Sequence, residues 1–173
     1  MKLIKLKIKN FRGYKDEVSV DIDNLTVIVG KNDIGKSTIL EALDVFFNEG
    51  KGIVKLDKDD INKSSLVEGN KDIYITAVFT DLPENIIIDT TNETTFSSEY
   101  LLNSENNLEI IKKYSNAGAA KIAIKANHPT NIECSELLLK KITDYRKIVQ
   151  KHNIECENQT INATLRKSIW NHF

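Results

Sequence analysis

One octapeptide constrains this chain more than any other feature. Residues 30 to 37 read Gly30-Lys31-Asn32-Asp33-Ile34-Gly35-Lys36-Ser37, which meets the spacing G-x-x-x-x-G-K-[ST] at each fixed position. Its flanks carry the context such a loop needs. Leu25 to Val29 is an unbroken apolar, largely β-branched run, predicted as a strand buried on both faces. Ile39, Leu40, Leu43, Phe46 and Phe47 recur at spacings of three and four and predict a helix from about Lys36 to Asn48. Gly30 lets the chain turn off the strand, and Gly35 lets backbone pass where a Cβ would collide. The amides of Asn32, Asp33, Ile34, Gly35 and Lys36 are then expected to face one concavity at a helix N-terminus, a nest for phosphate. Lys36 would place its ammonium on the β and γ phosphates, Ser37 would ligate magnesium, and the Thr38 N–H would face the α phosphate. The expected ligands are ATP and Mg2+.

Bulk properties narrow the field without naming a function. The 173 residues carry a net charge of −1, so no global field draws the chain to nucleic acid or membrane, and any basic surface must be local. Cys134 and Cys156 lack a CxxC pairing and the three histidines are scattered, which leaves no zinc spacing. Two free thiols fit a reducing cytosol. No apolar run approaches the ~20 residues that span a bilayer, and no signal peptide is evident, so the expected location is cytoplasmic.

Three segments are expected. Residues 1 to 82 form a P-loop lobe. Within it, Leu3, Ile4, Leu6 and Ile8 alternate with lysines as a strand; a turn at Arg12, Gly13 and Tyr14 leads to a second, antiparallel strand at Val18, Val20 and Ile22. Residues 53 to 71 read as surface connection, and Asp72 to Leu82 as a half-buried strand. Residues 83 to 133 are a polar connection, with a short strand at Ile86 to Ile88 and a hairpin of 108 to 114 with 121 to 126. Residues 134 to 173 are helical, with helices at 135 to 151 and 160 to 171.

The loop alone does not name a class. Asn70-Lys71-Asp72 misses the guanine signature by one position, and three arginines are too few for an arginine-rich kinase lid. Two apolar runs end in aspartate like a Walker B strand, at Asp81 and at Asp89, but Asp81 follows an alternating strand and Thr90 stands where a glutamate is expected. The opening Ile8-Lys9-Asn10-Phe11-Arg12-Gly13-Tyr14, followed by Leu25 to Lys36 and Ser37-Thr38-Ile39-Leu40-Glu41-Ala42-Leu43, resembles the N-terminus of the SMC/RecF/OLD group of ABC-type ATPases. Asn32, Asp33 and Ile34 are most similar to the OLD-like endonuclease branch. The resemblance covers residues 1 to 48 and extends plausibly to the strand at 72 to 82.

That resemblance implies an α/β fold: a P-loop NTPase, ABC-ATPase-like N-terminal lobe with a mixed sheet and an antiparallel β layer, and a helical C-terminal portion. It implies that Asn32 to Thr38 bind phosphate and magnesium, and that Arg12 approaches the nucleotide. It also implies ATP-driven dimerisation of heads in DNA repair or anti-phage defence. The signature loop, catalytic glutamate and Toprim acidic cluster of such proteins are absent here. The expectation is therefore an N-terminal lobe whose partner lobe lies elsewhere, binding ATP but hydrolysing it poorly. A complete small AAA-like ATPase using Asp81 or Asp89, and a nucleotide-sensing module without turnover, are the alternatives. A basic stripe at Lys140, Lys141, Arg146, Lys147 and Lys151 is a candidate DNA contact.

Overall fold

The computed structural model describes residues 1–30, 35–89 and 92–173. The chain divides into two compact units, residues 1–82 with 107–125 and residues 83–106 with 126–173.

The first unit is an antiparallel sheet with one long helix on it. Its strands are β1 (Lys2–Lys9), β2 (Val18–Asp21), β3 (Asp72–Thr80), β6 (Leu108–Ser115) and β7 (Ala120–Lys125), in the order β2-β1-β3-β6-β7. The hairpin grouped by sequence with residues 83 to 133 thus extends the sheet of the first unit, because β6 pairs with β3 along its whole length. Strand β3 is more buried than its alternation suggested, since it has a neighbour on each side and helix α1 (Lys36–Asn48) above. Side chains alternate across each strand, so Leu6, Ile75, Ala77 and Tyr114 share one face, and α1 closes it with Ala42, Val45 and Phe46. The Tyr114 hydroxyl donates to the Val45 carbonyl at 3.0 Å, and the Phe46 and Phe79 rings lie 6.4 Å apart. The helix ends at Glu49 and Gly50, both at positive φ, where left-handed backbone lets the Gly50 N–H return to the Val45 carbonyl.

Two expectations about this unit need correction. Leu25 to Val29 is not a doubly buried strand. It belongs to neither sheet, and Leu25, Val27 and Val29 are 82%, 70% and 86% exposed. A strand exists only where another backbone completes its ladder, and among the described residues none does so. Nor is 53 to 71 plain surface connection. A 3-10 turn at Lys58–Asp60 is capped by the Asp57 carboxylate, and the short helix α2 (Lys63–Val67) is capped by Asn62. Ile61, Asn62 and Ser65 are buried.

The second unit carries a small ladder, β4 (Ile86–Asp89) with β5 (Asn92–Thr94), and the paired helices α3 (Ile142–His152) and α4 (Asn162–His172). Its core includes Leu137, Tyr145, Val149, Leu165, Ile169 and Trp170. The helix expected from residue 135 begins only at Ile142. Glu136 sits at φ 54, Leu137–Leu139 form a 3-10 turn, and Lys140 and Lys141 are extended. That break buries Leu137 and lets the Asp144 carboxylate accept the Lys141 N–H at the start of α3.

Candidate nucleotide-binding site

Gly35 opens α1 from the left-handed region, at φ 80 and ψ 14. No side chain caps this end of the helix, and its first turn holds no acidic residue. A 13-residue helix therefore presents its first N–H groups, and the positive end of its dipole, without a carboxylate in that turn. Lys36 reaches back across the loop, and its Nζ donates to the Gly30 carbonyl at 2.5 Å. Ser37 is exposed and Thr38 is buried. Among the described residues this end offers an anion the uncapped N–H groups of α1 and the Lys36 ammonium, with no acidic side chain in the first turn. Asn32, Asp33 and Ile34 lie outside the described residues, so the ring of amides expected from them is not part of this geometry.

The turn after β1 is built against that loop. The Tyr14 hydroxyl donates to the Gly35 carbonyl at 3.2 Å, and a Cβ added at Gly35 would come within 2.9 Å of the same oxygen. The residue at 35 thus needs to be glycine for its backbone angle, and the room beside it is already taken by Tyr14. Arg12 is held at φ 49 by its own N–H, which donates to the Asp60 carbonyl at 2.7 Å. Its guanidinium pairs with the Asp60 carboxylate at 2.7 Å and with Glu41 of α1, and lies 5.3 Å from the centre of the Phe11 ring. Burial works against the charge, yet the hydrogen bonds of Glu41 and Asp60 carry the Arg12 pKa above its ordinary value. Arg12 is therefore a clasp between the β1–β2 turn, the 57–62 segment and α1, its guanidinium occupied by two carboxylates.

Sequence reasoning gave no role to Tyr14, Glu41 or Asp60. Tyr14 and Glu41 stand inside the stretches that carry the resemblance and Asp60 in no motif, and only their contacts reveal what they do. The Asp57-x-x-Asp60 and Asn62-x-x-Ser65 spacings were a usable signal, since a capping side chain reaches the amide two or three residues on.

The two Walker B candidates are set apart from the loop or already engaged. Asp81 follows Thr80, which pairs with Lys2 at the start of β1, whereas Tyr14 and Gly35 lie beyond the other end of that strand. Eight residues of strand span roughly 24 Å at ~3.4 Å each. The path of α1 agrees: Gly35 meets Tyr14 at its first turn and Phe46 meets Phe79 near its last. Asp89 belongs to the second unit, where Arg166 Nη1 donates to it at 2.9 Å and Asn162 at 3.3 Å. The basic stripe is likewise engaged locally: Lys140 with the Ser135 carbonyl, Arg146 with that of Gln159, Lys147 with Asp144 and Lys151 with Glu133.

Among the described residues no His, Cys, Asp and Glu group could hold a metal ion by itself, and no helix is long and apolar enough to cross a membrane.

Comparison with known proteins places the chain. It is 38% identical over 63 residues to Endonuclease GajA of Bacillus cereus (strain VD045), a stretch covering 36% of this chain and 11% of that protein. The matched stretch therefore spans about a tenth of the length of that relative. An SMC ATPase studied for ATP-driven dimerization and DNA-stimulated activation aligns at a TM-score of 0.49 and 16% identity, over 87% of this chain and 92% of that one. The SMC head domain from Thermotoga maritima aligns at 0.42 and 17% identity, over 73% and 38%. The family described as AAA ATPase domain matches residues 1–173. The chain belongs to that AAA ATPase domain family.

Proposed function

We propose that this chain is the ATP-binding N-terminal lobe of an SMC/RecF/OLD-like ATPase, working in the cytoplasm on DNA in repair or anti-phage defence. The single observation that carries the nucleotide site is the start of α1: left-handed Gly35, no side-chain cap or acidic residue in the first turn, and Lys36 folded across the loop mouth onto Gly30. The α1 amides and Lys36 would hold the phosphates, and the exposed Ser37 hydroxyl would ligate Mg2+. Magnesium supplies neutralisation of phosphate charge. Gly30, Asn32, Asp33, Ile34 and Thr38 complete the proposed loop, and Arg12 contributes by fixing α1 rather than by touching nucleotide.

Exposed apolar surface supports a partner lobe or second chain. Leu25, Val27 and Val29 stand in solvent just before the loop, and Leu40 and Phe47 of α1 are 62% and 57% exposed. Apolar residues clustered in sequence beside a binding loop mark a surface that another element covers. In this reading the partner supplies the neighbouring strand, the signature loop and the catalytic carboxylate, and nucleotide joins two heads. The name of the GajA relative supports action on DNA. The alternative of a complete small ATPase is disfavoured by Asp81, which is remote from the loop, and by Asp89, which is committed to Arg166.

Calorimetric titration of the folded chain with Mg-ATP tests this. The expected result is micromolar-range binding that weakens on chelation of magnesium and is lost in Lys36→Ala. A folded chain that takes up no ATP overturns the proposal, and turnover abolished by Asp89→Asn would favour the small complete ATPase.

A further inference from the structure

Strand register gathers lysines on the sheet face opposite α1. Lys5, Lys7 and Lys9 alternate with the core residues Leu6 and Ile8. Lys9 pairs with Tyr74, Tyr74 with Lys113 and Lys113 with Lys121, which makes one row across four strands. Lys5 heads a second row through Val78 and Glu109 to Lys125. On this face the register sets seven lysines, Lys2, Lys5, Lys7, Lys9, Lys113, Lys121 and Lys125, against three carboxylates, Asp21, Asp72 and Glu109, a surplus of four positive charges in a chain whose net charge is −1.

The carboxylates order this comb rather than cancel it. Buried Glu109 takes Lys7 at 2.6 Å and has Lys125 at 3.9 Å, Asp72 takes Lys113 at 2.7 Å, and Asp21 lies 3.3 Å from Lys5. The Lys113 ammonium also stands 5.5 Å from the centre of the Tyr74 ring. Thr76 and Val78 are buried beside the stems of Lys7 and Lys5, while Lys9, Lys121 and Lys125 are exposed. Lysine stems thus cover the apolar middle of the face and hold their charges outward.

We propose that this lysine face docks double-stranded DNA through its phosphates. Charge selects the occupant. Lys5, Lys7 and Lys9 repeat every second residue along β1, about 6.6 Å apart, and Lys113 and Lys121 are direct cross-strand neighbours; they meet a duplex that carries one negative charge per about 1.7 Å of axis. Lysine offers a point charge that grips phosphate without reading bases. The stripe from Lys140 to Lys151 in the second unit is the rival surface, and the variants below separate the two. The choice of DNA among polyanions rests on the reading of the chain as a DNA-acting ATPase.

Fluorescence anisotropy of the full chain with a labelled random-sequence duplex, from about 50 to 200 mM salt, tests it. The Lys9→Gln/Lys113→Gln/Lys121→Gln variant should bind at least tenfold more weakly. Its log–log salt dependence should be shallower by about 2.7, or about 0.9 per lost phosphate contact. Lys121→Gln alone, on an exposed strand, should lower the slope by about 0.9 and guards against misfolding of the triple variant. Arg146→Gln/Lys147→Gln should bind like the parent. A parent that ignores duplex at low salt overturns the proposal, as do a triple variant with unchanged slope, loss of binding through the α3 variant instead, or equal binding of polyglutamate. Lys36→Ala separates the two readings: it should lose ATP and keep DNA. A parent that binds duplex but no ATP sinks the nucleotide site and leaves this surface standing.

Discussion

Gly35 holds a backbone angle that an L-residue adopts only under strain, with Tyr14 packed against it and hydrogen-bonded to its carbonyl. Gly35→Ala is expected to cost about 1–2 kcal/mol from the left-handed conformation alone. Thermal unfolding checks that cost, and weaker ATP binding should accompany it because the start of α1 is displaced. Tyr114 offers a pH signature. Burial pushes its phenol up to about 12, and the nearby Glu49 charge adds to the shift. The folded state therefore keeps this proton after the unfolded state has lost it, so the stabilisation is complete below pH ~10 and is lost as pH rises from ~10 to ~12. Chemical denaturation across that window should show stability falling. Tyr114→Phe should flatten the slope while costing about 1 kcal/mol near neutrality for the lost bond to Val45.

At the scale of elements, local pattern and tertiary partnership decided different things. Helix α1 was legible to its last residue because an amphipathic stripe, a phosphate-loop lysine and a glycine stop agree on it. Strands β1, β2, β3 and the β6–β7 hairpin were legible because alternation fixes both strand and face. Leu25 to Val29 carried an equally strong strand signal and is not a strand, since apolar content cannot supply the neighbour a ladder requires. The helix expected from Ser135 failed for a local reason. Leu138, Ile142 and Tyr145 have helical spacing, but burial of Leu137 through a left-handed Glu136 serves the core better. Of the site, the loop itself was readable as a pattern, whereas the clasp of Arg12 with Glu41 and Asp60 spans 29 and 48 residues and leaves no local trace. In the second unit Arg166 is buried with Glu99 at 2.6 and 2.7 Å and Asp89 at 2.9 Å. Those partners carry its pKa above the ordinary arginine value even though burial opposes the charge. Arg166→Met strands two carboxylates and is expected to destabilise this unit by about 3–5 kcal/mol. Hydrogen exchange should show lost protection in α3 and α4, while the amides of β1 and β3 keep theirs.

For the whole molecule, an antiparallel layer with one helix can position a phosphate loop, but the described residues bring no carboxylate beside it that could orient a water. A folded chain should therefore bind nucleotide far better than it turns it over. The exposed Leu25, Val27 and Val29 should drive self-association in the absence of a partner lobe. Replacing all three by serine is expected to lower the apparent mass in light scattering without weakening ATP binding. The most direct measurement of the central claim remains isothermal titration of the folded chain with Mg-ATP, run side by side with Lys36→Ala. Saturable binding by the parent and none by the variant is the expected result. Equal heats from the two proteins, or no binding by a parent shown to be folded, would contradict it.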